Sequence, residues 1–514
     1  MANEENYGLD ILFVVSPSNA LSDYMPSYFL YLAGYLEKHG FRIDIVDPHK
    51  KNIDVNYDII IHEVKTKNPR YIGLAAFVTD YDVITDLAKA IKKHSSAKIL
   101  VGNAHPSVAP EDFLYEGSPF DIVVRGEGEQ TLEQFLLEYD DTKDNSHIKG
   151  IGYLEKGSIK INSNREFMDL SECGMPAYHM LDMNWYAKPS KYLIRRLPAC
   201  CAVIYIGRGC PYKCVFCASN SVWQANDKTK ENTVVRKRPL SVVIEELGIL
   251  QNKYHFEFFY IMDDTFGIKE NDIYEFCEAY RKSGMKMLWG AETRSNCIRN
   301  EEIVRTMKDA GCIQLDFGVE TGSPKLLKII KKGINVDQTI HAFSLCKVNG
   351  MRTFANILLN LPEETEEDLV LTHELLAKIK PTYISVGVTQ PYPGTECYSK
   401  FLNVPITKEE YCDLNRLNPP EEYRMSKHRL TLQKLLLSWQ LKYSAHVPFE
   451  KSMFQADHRY WSKITKSPRR WRYLAYFLKE MFIFSFLRYI KYSLLYLITI
   501  GFKGKVESNL KGYF

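Results

Sequence analysis

Short apolar runs and amphipathic stretches alternate along residues 10 to about 140, the arrangement of a parallel sheet covered by helices on both faces. Runs at 10–16, 41–46, 71–76, 98–101 and 121–124 predict strands, and helical periodicity at 27–39, 82–94 and 129–139 predicts helices between them. Residues 152–155 and 158–161 flank Lys156-Gly157 and predict a hairpin. From residue 201 to about 401 a strand–loop–helix unit recurs six times. The strands are expected at 201–206, 257–262, 286–291, 313–319, 352–360 and 383–389, with helices at 241–253, 271–283, 300–310, 324–332, 337–348 and 366–379. Six such units predict a partial (β/α)6 barrel, in which chemistry belongs at the C-terminal ends of the strands. The expected fold class is α/β: a Rossmann-like doubly wound domain over 1–145, a connector over 146–198, the barrel over 199–402 and a helical, aromatic-rich region over 403–514.

Charge changes the picture only at the C-terminal end. The net charge is +3, but residues 459–514 hold twelve Lys/Arg against Glu480 and Glu507, a local +10 that leaves −7 on the rest. The same region contains the most apolar stretch of the chain, interrupted by Arg488 and Lys491; its longest uncharged run, 492–502, is too short to span a bilayer. Two readings stay open: a helix lying on an anionic membrane surface, or a basic amphipathic helix packed over the barrel mouth. Nucleic acid is not expected, because no recognition motif accompanies the charge. The N-terminus has no apolar leader, and none of the twelve cysteines precedes Cys173, so a reducing, cytoplasmic setting is expected.

The chemistry concentrates in Gly207-Arg208-Gly209-Cys210-Pro211-Tyr212-Lys213-Cys214-Val215-Phe216-Cys217, where three cysteines are spaced C-x3-C-x2-C. Three thiolates on one loop can each bind a different iron of a [4Fe–4S] cube, and the missing fourth ligand leaves one iron open. Zinc would want a fourth ligand, and no Cys or His follows Cys217 before His255. A disulfide fits neither the irregular cysteine spacing nor the absence of a leader. Adjacent Cys200-Cys201 open a strand and read as core.

The cysteine loop resembles the radical S-adenosylmethionine (radical SAM) family, whose motif is C-x3-C-x-aromatic-C. The resemblance implies that Cys210, Cys214 and Cys217 hold a [4Fe–4S] cluster and that SAM chelates its open iron. Cleavage of SAM then yields a 5′-deoxyadenosyl radical. By position at the strand ends, Asp264, Arg294 and Glu320 carry over as SAM contacts, with Phe216 leaning on the adenine. The plain alternative for each charged residue is a barrel-mouth salt bridge, and Glu363-Glu364 read as a helix cap.

The N-terminal segments "VGNAHPSVAPEDFL" and "DIVVRGEGEQTLEQFL" resemble the cobalamin-binding domain that one large class of radical SAM enzymes carries. That likeness implies cobalamin contacts from Ser18, Asn19, Thr79, Gly102, Asn103, His105, Gly126, Glu127 and Gly128, at loops following strands. Two departures stand out. Gly102-Asn103 replaces a frequent Gly-Gly, and no Asp-x-His-x-x-Gly motif offers a histidine to cobalt. His105 has the alternative of an ordinary loop histidine, and the domain that of a Rossmann-like fold holding no corrin.

The family implies a cobalamin-dependent methyltransferase acting on an unactivated carbon or similar poor nucleophile. Its partners would be a small-molecule or lipid substrate and an external electron donor such as flavodoxin or ferredoxin. A cyclase or oxidative rearrangement enzyme without net methyl transfer is the alternative within the same architecture. A methylthiotransferase would need N-terminal cysteines, which the first 172 residues lack. A non-catalytic Fe–S or zinc scaffold leaves six barrel units with polar strand ends unexplained.

Overall fold

The first sheet runs β1 (Leu9–Val14), β2 (Ile43–Val46), β3 (Pro69–Ala75), β4 (Lys98–Gly102), β5 (Ile122–Val124), β6 (Ile151–Glu155) and β7 (Ser158–Ile161). This computed structural model describes residues 7–17, 24–49, 53–190, 192–195, 197–224, 235–402, 406–415, 423–428, 430–440, 456–479, 490 and 494. The strand order is β2-β1-β3-β4-β5-β6-β7, with β1 to β5 parallel. Chain order therefore reverses between β1 and β3, the switch point at which doubly wound sheets bind ligands beyond their carboxyl ends. Strand β4, reading Lys-Ile-Leu-Val-Gly, is a continuous apolar run because helices cover both faces. The hairpin expected within the connector is instead the edge of this sheet, since β6 pairs antiparallel with β5.

Helix Ser27–Lys38 follows β1, and helices Tyr81–Lys92 and Glu129–Glu138 follow β3 and β5. A helix at Ile53–Lys67 was not expected. Its run Ile59-Ile60-Ile61 reads as strand in isolation, and tertiary packing makes it helical.

The second sheet is six-stranded, parallel and in strict chain order. It comprises β8 (Cys201–Ile204), β11 (Phe258–Ile261), β12 (Leu288–Thr293), β13 (Cys312–Glu320), β14 (Arg352–Leu359) and β15 (Tyr383–Val388). Helices Leu240–Asn252, Glu270–Lys282, Glu301–Asp309, Pro324–Ile329, Val336–Val348 and Glu366–Ile379 lie between them, with Pro324–Ile329 and Val336–Val348 both between β13 and β14. Two short strands, β9 (Gly207–Arg208) and β10 (Arg236–Lys237), pair outside this sheet. Period-two alternation shows which way each strand faces. On β15 Ile384 and Val386 are buried against the helical layer, whereas Tyr383, Ser385 and Gly387 are accessible. On β14 Ala355 and Ile357 are likewise buried, and Asn356 and Leu358 are half-buried. The upper interior of the sheet's curve is thus an open chamber.

One core cluster runs from the first sheet through the connector (Met168, Leu170, Tyr178, Ile194, Leu197) into the barrel. A buried polar joint strengthens it. Glu246 accepts from Tyr31 at 3.0 Å, Tyr178 at 2.5 Å and Arg238 at 2.5 Å. Cys173 and Cys200 are buried in this core, and Cys201 is half-buried.

Helices His458–Lys466 and Arg470–Lys479 close the opposite end of the barrel from the cysteine loop. Tyr460 donates to the Pro198 carbonyl at 2.8 Å, Tyr473 takes the Cys200 amide at 2.9 Å, and Arg469 reaches the His255 carbonyl at 2.6 Å. These partners precede β8 and β11, so the two helices lie under the barrel floor. The apolar basic stretch 480–505, read as lying on a membrane surface or over the mouth, falls outside the described residues apart from 490 and 494. Among the described residues no helix is long and apolar enough to cross a membrane.

Candidate active site

The cysteine loop leaves β8 at the C-terminal end of the barrel, and neighbouring strand ends hold its backbone. Asp263 accepts from the Ile206 amide at 2.8 Å and the Gly207 amide at 3.1 Å. Asp264 accepts from the Gly209 amide at 2.9 Å and the Trp223 indole at 3.2 Å. Burial pushes the Asp263 carboxyl up to about 7 despite those two amides. Gly209 takes φ +99°, a left-handed turn that a side chain would strain. Farther along, Val215 is buried with Leu326, Ile330, Leu361, Cys397 and Met425, and its amide donates to the Ile330 carbonyl at 3.1 Å. The loop is therefore anchored by Val215 while its three thiols stay half-buried.

Cys210 Sγ lies 3.6 Å from Thr265 Oγ1, and Cys214 Sγ lies 3.7 Å from Arg294 Nη1. Burial lifts the Cys210 and Cys217 thiols above their ordinary range. Among the described residues no three His, Cys, Asp or Glu side chains converge on one point as a single ion requires. A cube places each thiolate on a different iron, so its ligands need not converge in that way.

Arg294 is buried, and its guanidinium lies over the Tyr212 ring at 3.5 Å. Its Nε and Nη2 have no hydrogen-bond partner among the described residues. A buried guanidinium edge left unpaired beside a cysteine suits a carboxylate. Glu320 behaves differently: it sits at φ +64°, buried, with its carboxylate 2.5 Å from Lys332 Nζ. It is the salt bridge weighed as its plain alternative. Asp264 is exposed and partly committed to the loop, and half-buried Phe216 packs against the Val215 cluster, with Lys332 Nζ 5.7 Å from its ring. Glu363 meets Lys427, while buried Glu364 holds His428 at 3.1 Å.

The chamber above Arg195 and Asp316 contains a carboxyl of another kind. Arg195 pairs with fully buried Asp316 at 3.1 Å and lies 4.8 Å over the Phe354 ring. Glu292, beside Asp316 in strand register, is pushed up to about 7, chiefly by burial and then by the Asp316 charge. The folded protein thus keeps a proton that the unfolded chain releases between about pH 4.5 and 7. Stability contributed by that proton falls as pH rises through this window, by about 3 kcal/mol. Glu292→Gln is expected to stabilise the protein by that order near pH 8 and to change little near pH 4.5. Urea unfolding at the two pH values checks this, and an identical pH dependence in both proteins would contradict it.

On the first sheet, Ser16, at the carboxyl end of β1, has a buried hydroxyl without a partner among the described residues. Thr79 lies half-buried in the turn after β3. Asn103 adopts φ 86°, ψ −161°, a region that essentially only glycine visits, and its side chain offsets part of the strain by accepting the Ala104 amide at 2.7 Å. A glycine at position 103 would adopt this conformation without that strain. Gly102 approaches the Val124 carbonyl, and Gly126, at φ +69°, donates its amide to Ser107 at 3.0 Å. His105 is enclosed by the rings of Tyr81, Phe113 and Tyr411 and meets Asp112 at 2.8 Å. Its 0% exposure places it in the core, away from the ligand face. Glu127 and Gly128 are packed too: a Cβ on Gly128 would meet Leu32, and Glu127 is bound by two arginines from the barrel side. Ser18 and Asn19 lie outside the described residues.

Residues 204–376 match the radical SAM superfamily, and residues 18–136 match the B12 binding domain. The chain is a radical SAM protein with a B12-binding domain. It is 29% identical to an uncharacterized methyltransferase of Pyrococcus horikoshii, over 67% of this chain and 72% of that one. It is 25% identical to the anaerobic magnesium-protoporphyrin IX monomethyl ester cyclase of Rubrivivax gelatinosus, over 73% of this chain and 66% of that one. The radical SAM methyltransferase TsrM of Kitasatospora setae, solved with cobalamin and a [4Fe–4S] cluster, shares the fold. Its TM-score is 0.62 at 16% identity, covering 77% of this chain and 76% of that one. So does OxsB, solved with aqua-cobalamin and SAM: TM-score 0.66, 18% identity, 96% of this chain and 76% of that one.

A radical SAM protein of this kind takes a [4Fe–4S] cluster, SAM and cobalamin. The residues present fit these groups. Three half-buried thiols share one anchored loop, an unpaired guanidinium edge adjoins one of them, and the partnerless Ser16 hydroxyl lies at the switch point of the first sheet. Lys332, Tyr212 and the Asp263 amide clamp escaped the sequence reading. Only the doublet Asp263-Asp264 at a strand end signals the last of them.

Proposed function

We propose that this protein transfers a methyl group to an unactivated carbon of a small molecule held in the barrel chamber. The observation that carries the reading is the partnerless edge of Arg294 beside Cys214, an anion site against the cysteine loop. Cys210, Cys214 and Cys217 would hold a [4Fe–4S] cluster, which would supply the electron for reductive cleavage of SAM, and the first domain would hold cobalamin, which would supply methyl carriage. Arg294 would take the SAM carboxylate, Asp264 its amino group or ribose hydroxyls, and Phe216 would flank the adenine. Ser16, Thr79 and the Gly102-Asn103 turn line the corrin side. The chamber walls (Tyr24, Arg195, Glu292, Tyr383 and Ser385) position the substrate and exclude bulk water. Glu292, with its carboxyl near neutrality, offers a hydrogen bond as either donor or acceptor at neutral pH. An external one-electron donor is the remaining partner.

The test uses anaerobically reconstituted protein, reductant, SAM bearing a deuterated methyl group, and a metabolite extract. The expected result is 5′-deoxyadenosine together with a product carrying the deuterated methyl on carbon. Formation of 5′-deoxyadenosine with no labelled product contradicts methyl transfer and favours the cyclase-type alternative.

One surface supports peripheral membrane contact. Helix Arg470–Lys479 exposes Trp471 (69%), Leu474 (44%) and Leu478 (46%) along one stripe, and residues 458–479 hold seven Arg/Lys and no acidic residue. Co-sedimentation with vesicles containing phosphatidylserine, lost in Trp471→Ser, is expected; absence of binding at low salt contradicts it.

A further inference from the structure

Strand register puts Arg208 directly opposite Arg236 in the β9–β10 pair. Two guanidinium groups so placed repel unless an acid is shared between them. The acid comes from the other domain. Glu127 Oε1 accepts from Arg208 Nη1 at 3.0 Å and from Arg236 Nη2 at 2.9 Å, while Oε2 accepts from Arg236 Nη1 at 2.9 Å and the Met168 amide at 3.1 Å. Glu129 Oε1 takes the remaining Arg208 nitrogen at 2.6 Å. Glu127 is 5% and Glu129 3% exposed, and the Arg208 and Arg236 side chains are 18% and 13% exposed, so two positive and two negative charges form a largely buried set.

Glu127 lies in the loop after β5 and Glu129 opens the helix that follows, both on the ligand face of the first sheet. Arg208 lies two residues before Cys210. The set therefore ties the loop beside one cofactor face to the loop that carries the cysteines. Apolar residues of equal volume would hold two domains together at least as well, and a buried ion-pair set adds a requirement for one alignment. A pair of arginines forking onto shared carboxylates is satisfied only when both loops keep a single distance and angle. Asp263 and Asp264 hold the other side of the same loop through backbone amides.

We propose that Glu127 and Glu129, with Arg208 and Arg236, are positioning residues that fix the cobalamin face relative to the cysteine loop, and that neither glutamate contacts the corrin. The proposal rests on the reading that the first domain holds cobalamin. In Glu127→Gln, Arg208 keeps Glu129 and Arg236 keeps the Met168 carbonyl, so the fold has partners to fall back on.

The experiment takes full-length protein reconstituted with iron, sulfide and hydroxocobalamin, reduces it to the Co(II) and [4Fe–4S]+ states, and measures the cobalt-to-cluster distance distribution by pulsed dipolar EPR. Wild type is expected to give one narrow distribution, and Glu127→Gln one at least twofold broader with both groups still bound. Arg305→Gln, which breaks only an exposed helix-surface pair with Glu301, should match wild type. The double variant Glu127→Gln/Arg236→Gln removes the Arg236 charge that the single change leaves without its carboxylate, keeps Arg208 paired with Glu129, and should be broadened as well. Hydrogen exchange provides an arm that needs no corrin: amides of 125–129 and 207–210 should exchange about tenfold faster together in Glu127→Gln. Unchanged distance and exchange in the variants overturn the proposal. Wild-type protein that retains no corrin overturns the cobalamin reading instead, and the exchange arm still decides whether the two loops move as one.

Discussion

Replacing any one of Cys210, Cys214 or Cys217 with alanine is expected to remove the broad absorbance near 400 nm of the reconstituted protein and to abolish 5′-deoxyadenosine formation. The thiols are the only side-chain ligands the loop offers, and a cube held by two thiolates has two open irons and no defined site for SAM. The fold should survive. Val215, buried in its own apolar cluster, and the Asp263 and Asp264 carboxylates hold the loop backbone independently of the thiols. Circular dichroism at wild-type intensity with absent iron–sulfur absorbance is the expected pair of results. Retention of 5′-deoxyadenosine formation in any of the three variants contradicts the assignment.

Arg294→Met is expected to keep the cluster absorbance and to weaken SAM binding on the order of 100-fold. The guanidinium is buried with two nitrogens unpaired among the described residues, so it already bears the cost of desolvation that a carboxylate would offset. Losing a charge-assisted pair of this kind costs roughly 2–3 kcal/mol, the free-energy equivalent of that change in affinity. Methionine keeps an apolar stem of similar length while removing the fork and its stacking on Tyr212. Anaerobic calorimetry with SAM measures it, and an affinity within threefold of wild type contradicts the role.

Much of the architecture was legible because its signals are local. Buried parallel strands read as unbroken apolar runs, and all six barrel strands lie within a few residues of their expected positions. Helix starts were legible too, as at Asn335, whose side chain and that of Gln338 form a reciprocal cap. Signals failed where partners lie far apart in sequence. Glu127 and Glu129 read as a ligand loop because Arg208 and Arg236 fold onto them only in the tertiary structure. Glu320 likewise looks available until Lys332 turns back onto it. His105 stands in a loop motif, yet Tyr411 of the C-terminal region helps to bury it. The position of helices His458–Lys466 and Arg470–Lys479 depended on side-chain bonds to the barrel floor, which periodicity does not reveal.

The central claim is that one chain holds a SAM-cleaving cluster and a corrin side by side. Oxygen-free protein is soaked with hydroxocobalamin, desalted, analysed for metals and then given SAM and dithionite. The account predicts iron, sulfide and an equimolar corrin on the protein, with 5′-deoxyadenosine in solution. Zinc in place of iron, or desalted protein bare of corrin, contradicts it.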